Sequence, residues 1–386
     1  MFPEASLNVA LRVRNDAVET VLIRSTRMVR AARMFANKKP SEVLQLLPAV
    51  FSLCGTAQAL TGMAAMEKAA AIATSPRQKA ARALLILAET ASEHALSIAR
   101  DWPALAGAEP RFDLAKRIRK CLSGLRMLLY PAGDWLHLGG GALAPDLPRI
   151  TDALAQARQA ATQLLGHDVD ELVLPIAFQA WMDSAPSHLP APHLPAHVWR
   201  QGQAGLGASA FLPMPELGPP DLAVRLAQDR DGLYLARPDC AGRVFETGCL
   251  AHWSWHPLIV DLVEQHGHGL LARLAARLIA LAGALREMEE RAEELAPEPA
   301  NDLPGLDGEG IALTEAARGL LAHRVILKDD RIEHYQILAP TEWNFHPEGP
   351  LVRALTGLAA GADLHHRARL LVHALDPCVA CTISLE

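Results

Sequence analysis

Aromatic residues and cysteines are both scarce in this sequence. Phe, Trp and Tyr make up 5% of its 386 residues, and Cys occurs six times. Six cysteines in so long a chain do not make the dense disulfide framework of a small secreted protein. The cysteine content therefore predicts reduced thiols and a cytoplasmic location.

Positive charge is not in excess either. Lys and Arg number 37 against 43 Asp and Glu, which gives a formal net charge of −6. A protein that binds nucleic acid without sequence preference needs a basic face, so the composition argues against this class. Half of the residues are hydrophobic, which is enough for the sizeable core of a globular protein.

No segment has the character of a signal peptide or of a membrane span. Residues 1–16 lack a basic start followed by an apolar stretch. The most apolar stretch, residues 269–285, is interrupted by Arg273 and Arg277. This stretch is therefore predicted to be a helix packed inside the protein and not a membrane span.

Periodicity predicts a mainly α chain with small β hairpins, an α+β fold class. Apolar and polar residues alternate over 7–25, around Asn15-Asp16, and over 323–338, around a turn at 328–331. Such alternation on both sides of a short turn indicates a hairpin. Helical spacing of apolar residues occurs over 41–74, 78–100, 113–129, 147–165, 270–295 and 364–375.

Two proline-rich segments interrupt these elements. Residues 184–197 (SAPSHLPAPHLPAH) are predicted to be extended and exposed. Residues 297–310, rich in Pro, Gly and Asp, are predicted to be a linker. Neither segment is expected to separate independent units, so residues 1–386 are predicted to form a single domain.

The chemically richest stretch is residues 376–386 (DPCVACTISLE). Its C-x-x-C spacing places Cys378 and Cys381 on one side of a turn, where two thiols can share a metal or form a disulfide. The residues alone leave open a chance pair, a redox pair and a metal site.

Histidines offer weaker candidates for a metal site. Three of them lie in or at the end of the segment 184–197, whose prolines disrupt the fixed geometry that a metal site needs. His252 and His256 have i, i+4 spacing, but Pro257 disfavours helix at His256. Packed or hydrogen-bonded roles are therefore predicted for His252 and His256.

Four motifs resemble the C-terminal part of nickel–iron hydrogenase large subunits. They are residues 315–319 (EAARG), 335–336 (YQ), 340–344 (PTEWN) and 376–381 (DPCVAC). The family carries an Ala-Pro-Arg-Gly loop, a Pro-Ser/Thr-Thr-Trp-Asn loop and an Asp-Pro-Cys-x-x-Cys-x-x-His ending. Because the order and spacing are similar, the resemblance implies a pruned form of the nickel–iron hydrogenase large-subunit fold.

A stretch far upstream resembles the family's first cysteine motif, Cys-Gly-x-Cys-x-x-Ala-His-x-Leu. In residues 54–60 (CGTAQAL), Cys54 takes the place of the second family cysteine. Phe51 replaces the first cysteine and Gln58 replaces the histidine. The final histidine of the C-terminal motif is Ser384 here.

These departures change what the site is expected to hold. In the hydrogenases, as the resemblance implies, four cysteines hold nickel, and the second of each pair also bridges to an iron that carries carbon monoxide and cyanide. Cys54 and Cys381 match the two bridging positions, and Cys378 matches a terminal nickel ligand. Phe51, at the other terminal position, cannot ligate a metal. The resemblance therefore implies iron as a transient Fe(CN)2(CO) group, and no nickel.

Further residues are implied to surround that group. Arg318 and Thr341 match family residues that contact the cyanides, and Pro340 belongs to the same loop as Thr341. Asp376 is expected to hold Arg318 in place by a charge-assisted hydrogen bond.

A pocket that keeps the iron ligands and loses the nickel site resembles that of the HupK/HoxV family of hydrogenase accessory proteins. The resemblance implies a non-catalytic scaffold in nickel–iron hydrogenase maturation, which carries Fe(CN)2(CO) between Cys54 and Cys381 before transfer to the large subunit. The implied partners are a HypC-type carrier chaperone, the cyanide-ligand assembly machinery and the hydrogenase large-subunit precursor. The alternatives are a degenerate hydrogenase-like redox enzyme and a metal-free interaction chaperone for hydrogenase assembly.

Overall fold

Helices make up most of the computed structural model, which describes residues 5–186, 188–208, 211–295 and 308–386. Its strands are β1 (Ser6–Arg14), β2 (Ala17–Ser25), β3 (Glu309–Ala316), β4 (Gly319–Lys328), β5 (Arg331–Leu338) and β6 (Ala380–Leu385). Its α-helices are α1 (Pro40–Val50), α2 (Gly55–Ala69), α3 (Pro76–Leu105), α4 (Phe112–Ser123), α5 (Leu125–Leu129), α6 (Leu147–Leu165), α7 (Val169–Leu172), α8 (Pro175–Ser184), α9 (His193–Arg200), α10 (Pro219–Gln228), α11 (Leu233–Ala236), α12 (Cys249–His252), α13 (Pro257–His266), α14 (Leu270–Glu293), α15 (Pro340–Asn344), α16 (Pro350–Leu355) and α17 (Leu364–Leu375). A 3-10 helix, Ala31–Phe35, precedes α1. The predicted fold class, mainly α with small β hairpins, is confirmed.

The first hairpin pairs β1 with β2 in antiparallel fashion, as the alternation predicts. Its turn places Asn15 and Asp16 at φ of 50° and 58°. Two consecutive residues with positive φ suit a tight hairpin turn, and Asn and Asp tolerate that region better than most residues. The sequence therefore fixes both the strands and the turn locally.

The first sheet has a third strand that the sequence did not predict. Strand β6 pairs in parallel with β1, in the order β2-β1-β6, and Cys381 lies opposite Leu7. Residues 376–386 were expected to be a short turn. This interpretation was wrong for β6, because a strand that pairs with the other end of the chain leaves little local signal.

The second sheet is antiparallel, in the order β3-β4-β5. The hairpin predicted over 323–338 is confirmed as β4 and β5, with Asp329 and Asp330 at φ of 50° and 55°. The predicted linker 297–310 is corrected at its end, where Glu309 and Gly310 belong to β3. Its residues up to 307 lie outside the described part of the chain.

Helix α14 is buried along most of its length, which explains why residues 270–285 are apolar apart from Arg273 and Arg277. Arg273 within it pairs with Glu246 at 2.6 Å, and Arg277 donates to Ser97 Oγ at 2.8 Å. Both arginines are thus accommodated by buried polar partners. Among the residues that the structure describes, no helix is both long enough and apolar enough to cross a membrane.

Two segments differ from their predicted conformation. Most of the described residues of 184–197 are buried or half-buried, with Leu189, Ala191 and Leu194 in the protein interior, and α9 begins at His193. The prediction of an exposed segment was wrong because these apolar side chains pack inward despite the prolines. Residues 340–344 form α15 where a loop was expected, and all five are buried.

A large hydrophobic core joins elements from both ends of the chain. Side chains from β1, α2, α3, α6, α14 and α17 share it. A smaller cluster forms around α10, β3 and Trp343. The prediction of a single domain over 1–386 is supported by this shared core and stays a prediction.

Candidate functional site

A cavity of about 1090 Å³ brings together the residues that the sequence selected. Its lining includes Cys54, Cys378, Cys381, Arg318, Pro340, Thr341 and Asp376. They come from the start of α2, the β3–β4 turn, the start of α15, and the segment from α17 into β6. The expected meeting of the first cysteine with the C-terminal pair is therefore observed.

Cys54 is the residue immediately before α2. Gln58 Nε2 donates a long hydrogen bond, 3.7 Å, to its Sγ. Burial, and then the negative charges of Cys378 and Glu89, raise the pKa of the Cys54 thiol to about 12. Without a metal, Cys54 is therefore a neutral thiol at pH near 7.

Glu89 on α3 fixes the backbone around Cys54. Its carboxylate accepts hydrogen bonds from the backbone N–H groups of Thr56 and Ala57, at 2.7 and 3.0 Å. The first amides of a helix have no partners within it, and the Cys54 side chain does not cap α2. Glu89 thus supplies the cap from a neighbouring helix, and burial raises its pKa.

Cys378 lies between two polar side chains. Arg27 Nη1 donates to its sulfur at 2.5 Å, and Thr341 Oγ1 lies 2.9 Å from the same atom. Arg27 Nε also donates to Glu342 Oε1 at 2.7 Å. The sulfur of Cys378 is therefore contacted by a guanidinium and a hydroxyl.

Cys381 is carried by β6 and lines the same cavity. Its backbone position is set by the parallel register that places it opposite Leu7 of β1. Burial raises the pKa of its thiol to about 11. Cys54 and Cys381 thus share an environment that opposes ionisation of the thiol.

Arg318 lies in the turn between β3 and β4 and is almost fully buried, with 12% of its side chain exposed. Arg318 Nη2 donates to Glu93 Oε2 at 3.0 Å, whereas Nε lies 3.7 Å from Asp376 Oδ2. In place of the predicted hydrogen bond from Arg318 to Asp376, the structure therefore has a longer ion pair. Glu93 of α3 accepts the hydrogen bond because it lies nearer to the guanidinium.

The guanidinium of Arg318 keeps unused donors. Its Nε and Nη1 atoms are buried and have no hydrogen-bond acceptor. Buried polar groups are rarely left without a partner, and such exceptions commonly mark a functional site. Arg318 can therefore donate to an acceptor that enters the cavity.

Asp376 forms a second ion pair, with Arg277 of α14. Arg277 Nη2 lies 3.6 Å from Asp376 Oδ2. Burial opposes ionisation of Asp376, but the charges of Arg318 and Arg277 prevail and hold its pKa below the usual range. The pair of arginines therefore keeps this carboxylate negative.

A resident metal site is not preformed in the part of the chain that the structure describes. No three His, Cys, Asp or Glu side chains there are grouped so that they could hold a metal ion. The metal-ligand role of Cys54, Cys378 and Cys381 stays a prediction. A metal that brings its own diatomic ligands needs fewer protein ligands than a bare ion.

The other candidates lie apart from the three cysteines. His256 Nδ1 accepts the backbone N–H of Leu258 at 3.3 Å and so caps α13. His193 Nε2 lies 3.2 Å from the carbonyl oxygen of Pro186.

Among the charged residues that sequence reasoning missed are Arg27 and Glu89, which line the cavity, and Glu342, which pairs with Arg27. Glu342 gave a visible signal, because it stands in the PTEWN motif where the hydrogenases have threonine. Arg27 and Glu89 belong to no motif. Arg27 follows β2 and Glu89 lies on α3, so their contacts with the site depend on how these elements pack against distant parts of the chain.

The chain is similar to known hydrogenase-related proteins. A family model described as nickel-dependent hydrogenase matches residues 260–384. Hydrogenase expression/formation protein HupV of Azotobacter chroococcum is 29% identical, covering 98% of each chain. Hydrogenase expression/formation protein HoxV of Cupriavidus necator is 30% identical, covering 92% of this chain and 90% of the other.

A solved structure shows the same fold. The nickel–iron–selenium hydrogenase of D. vulgaris Hildenborough aligns with a TM-score of 0.71 at 17% identity, over 95% of this chain and 94% of the other. At this identity the likeness establishes the fold alone. The predicted large-subunit-like architecture is thereby confirmed.

Proposed function

Because the chain belongs to the HupK/HoxV family of hydrogenase expression/formation proteins, we propose that it serves hydrogenase maturation as a non-catalytic scaffold. Its cargo is the Fe(CN)2(CO) unit, held between Cys54 and Cys381 before transfer to the large subunit. The proposed partners are a HypC-type carrier chaperone, the cyanide-ligand assembly machinery and the large-subunit precursor.

The observation that carries this proposal is the pair of unused hydrogen-bond donors on the Arg318 guanidinium, in a cavity lined by three thiols. Arg318 Nε and Nη1 are buried donors without acceptors, and the residue lines the cavity with Cys54 and Cys381. A cyanide nitrogen is a hydrogen-bond acceptor, and thiolates are soft ligands that suit a ferrous iron with cyanide and carbonyl ligands. The side chains therefore fit both the metal and its ligands.

Two thiolates also suit a unit that must leave again. The pKa values of Cys54 and Cys381 are raised to about 12 and about 11. Protons therefore compete with the metal for both sulfurs, since a thiol must lose its proton to ligate. Reprotonation after transfer returns the site to its neutral state.

Infrared absorption and metal analysis test the proposal directly. Protein is purified without oxygen from cells that express the hydrogenase maturation genes. We expect about one iron per chain with cyanide and carbonyl bands, because the diatomic ligands travel with the iron. Cys54→Ala and Cys381→Ala should each abolish the bands, since either change leaves a single bridging thiolate.

The matched control is Cys121→Ala, because Cys121 is a half-buried thiol on α4 that does not line the cavity. This variant should keep the full band intensity. Iron without cyanide and carbonyl bands, or bands that survive Cys54→Ala, would contradict the scaffold function.

A metal-free interaction chaperone is the second candidate. It is favoured by the contacts of Cys378, whose sulfur already has Arg27 and Thr341 as partners. If both cysteine variants lack iron yet still support hydrogenase maturation in cells, this function replaces the scaffold.

A further inference from the structure

Arg27 is a buried cation among the thiols, and the proposed function gives it no role. It follows β2, and 15% of its side chain is exposed. Its Nη1 donates to Cys378 Sγ at 2.5 Å, and its Nε donates to Glu342 Oε1 at 2.7 Å. A guanidinium has donors only and stays protonated in proteins. A permanent positive charge therefore lies against the sulfur of Cys378.

Glu342 holds this charge in place. The Glu342 side chain is 6% exposed, and its Oε1 accepts a hydrogen bond from Arg27 Nε. Its other oxygen, Oε2, is buried and has no hydrogen-bond donor. Removal of the guanidinium would leave a buried carboxylate without its counter-charge, which is strongly unfavourable. The cation therefore cannot move away from Cys378 at low cost.

A soft divalent ion needs the electron pairs that these contacts occupy. Nickel and zinc ions bind thiolate sulfur, and a neighbouring positive charge repels them through a weakly screened interior. Phe51 lines the same cavity and adds no ligand. The side of the cavity at Cys378 is thus closed to a divalent cation by charge as well as by a missing donor.

The proposed cargo is affected differently. Two cyanides cancel the charge of a ferrous ion, and carbon monoxide adds none, so the Fe(CN)2(CO) unit enters without net charge. We propose that Arg27 is a specificity-determining residue that keeps soft divalent metal ions from binding through Cys378. This inference rests on the proposed function, because it states which metals the same cavity refuses.

Cobalt and zinc binding to the metal-free, reduced protein test the inference. Co²⁺ is titrated into wild type and Arg27→Met while thiolate-to-cobalt absorption is recorded, and Zn²⁺ affinity is measured by competition. We expect Arg27→Met to bind both ions at least about tenfold more tightly than wild type, because one nearby positive charge is gone. Arg27→Lys, which keeps the charge, should bind as weakly as wild type.

Two further variants separate metal selection from folding. Arg27→Met/Glu342→Gln removes both charges of the ion pair, and its fold is checked by circular dichroism. Arg27→Met/Cys378→Ala should lose the gain in affinity and the thiolate absorption. A folded Arg27→Met/Glu342→Gln protein that binds Co²⁺ no more tightly than wild type would overturn the inference, as would a gain that survives Cys378→Ala.

The outcome is independent of the iron measurement. Cyanide and carbonyl bands in wild type, with unchanged cobalt affinity in the Arg27 variants, would retain the scaffold and refute selection by Arg27. Tighter cobalt binding by Arg27→Met, without cyanide and carbonyl bands in wild type, would retain the role of Arg27 and refute the scaffold.

Discussion

Cys54 and Cys381 are thiols whose surroundings oppose ionisation, and the charged residues near them are held by partners of opposite charge. Burial raises the pKa of the two thiols to about 12 and about 11. Arg318 is held by Glu93 and Asp376, and Arg27 by Glu342. At this scale the cavity combines two thiols that resist ionisation with two arginines that are each held by a carboxylate, which supports the proposed cargo with its own negative ligands.

The raised pKa of Cys54 predicts a loss of stability at alkaline pH in the metal-free protein. Burial raises the pKa of the Cys54 thiol in the folded protein from its ordinary 9.0 to about 12. The stability that the neutral thiol contributes is therefore fully present below about pH 9 and declines as pH rises toward 12. Between about pH 8 and about pH 10, wild type should lose about 1 kcal/mol more unfolding free energy than Cys54→Ala. Urea unfolding under anaerobic, reducing conditions measures this difference.

The control for this measurement is again Cys121→Ala, which should follow the pH dependence of wild type. If Cys54→Ala and wild type lose the same free energy over this range, Cys54 is not a protonated buried thiol.

Among the elements, α2 matters most because it begins directly after Cys54. Strand β3 crosses α2 so closely that Gly310 lies against the helix backbone. A Cβ atom at Gly310 would overlap the carbonyl oxygen of Ala65 and the backbone nitrogen of Ala69. The position of Cys54 is thus coupled to the second sheet through a contact that only glycine permits.

Gly310→Ala is therefore predicted to destabilise the protein by about 1–3 kcal/mol or more, since overpacking forces the strand away from the helix. The change is measured as the midpoint and slope of urea unfolding. Gly124→Ala is the matched control, because Gly124 has φ of −68° and a Cβ there meets its nearest atom at 3.5 Å.

The control variant should keep or slightly increase the stability of wild type. Equal stability of the two variants would show that β3 and α2 are not in contact as described.

The elements also show where local pattern suffices. Both hairpins were predicted, since the alternation and the Asn15-Asp16 and Asp329-Asp330 turns are encoded in neighbouring residues. Strand β6 and α15 were missed. Strand β6 gains its hydrogen bonds from β1, at the other end of the chain. Helix α15 is short, and its motif was interpreted as a loop.

In the whole molecule, the cavity lies where the first and last parts of the chain meet. The chain that follows β2, together with the end of α1, the start of α2 and part of α3, contributes one part of its lining, and the chain from α15 through β6 contributes much of the rest. The shared hydrophobic core joins the same parts. Assembly of the site therefore requires the fold of the entire chain.

This arrangement predicts one cooperative unfolding transition. Far-ultraviolet circular dichroism reports on the helices, and fluorescence reports on the seven tryptophans. The two signals should change at the same urea concentration, because one core supports both. Two separated transitions would contradict the prediction of a single domain over 1–386.

The sequence by itself determined the features that neighbouring residues encode. These are the hairpins, the long helices such as α6 and α17, and the cysteine motifs that indicated the family and the large-subunit fold. It also indicated Cys54, Cys378, Cys381 and Arg318, because motif order is preserved along the chain.

Only the tertiary structure decided which charges surround the thiols. Arg27 meets Cys378 and Glu342, Glu89 caps α2, and Glu93 takes the hydrogen bond expected for Asp376. The physical reason is that ion pairs and caps depend on distance in space, and these partners are far apart in sequence. No local spacing records that Arg27, just after β2, and Glu89 and Glu93 of α3 line the same cavity as the C-terminal cysteines.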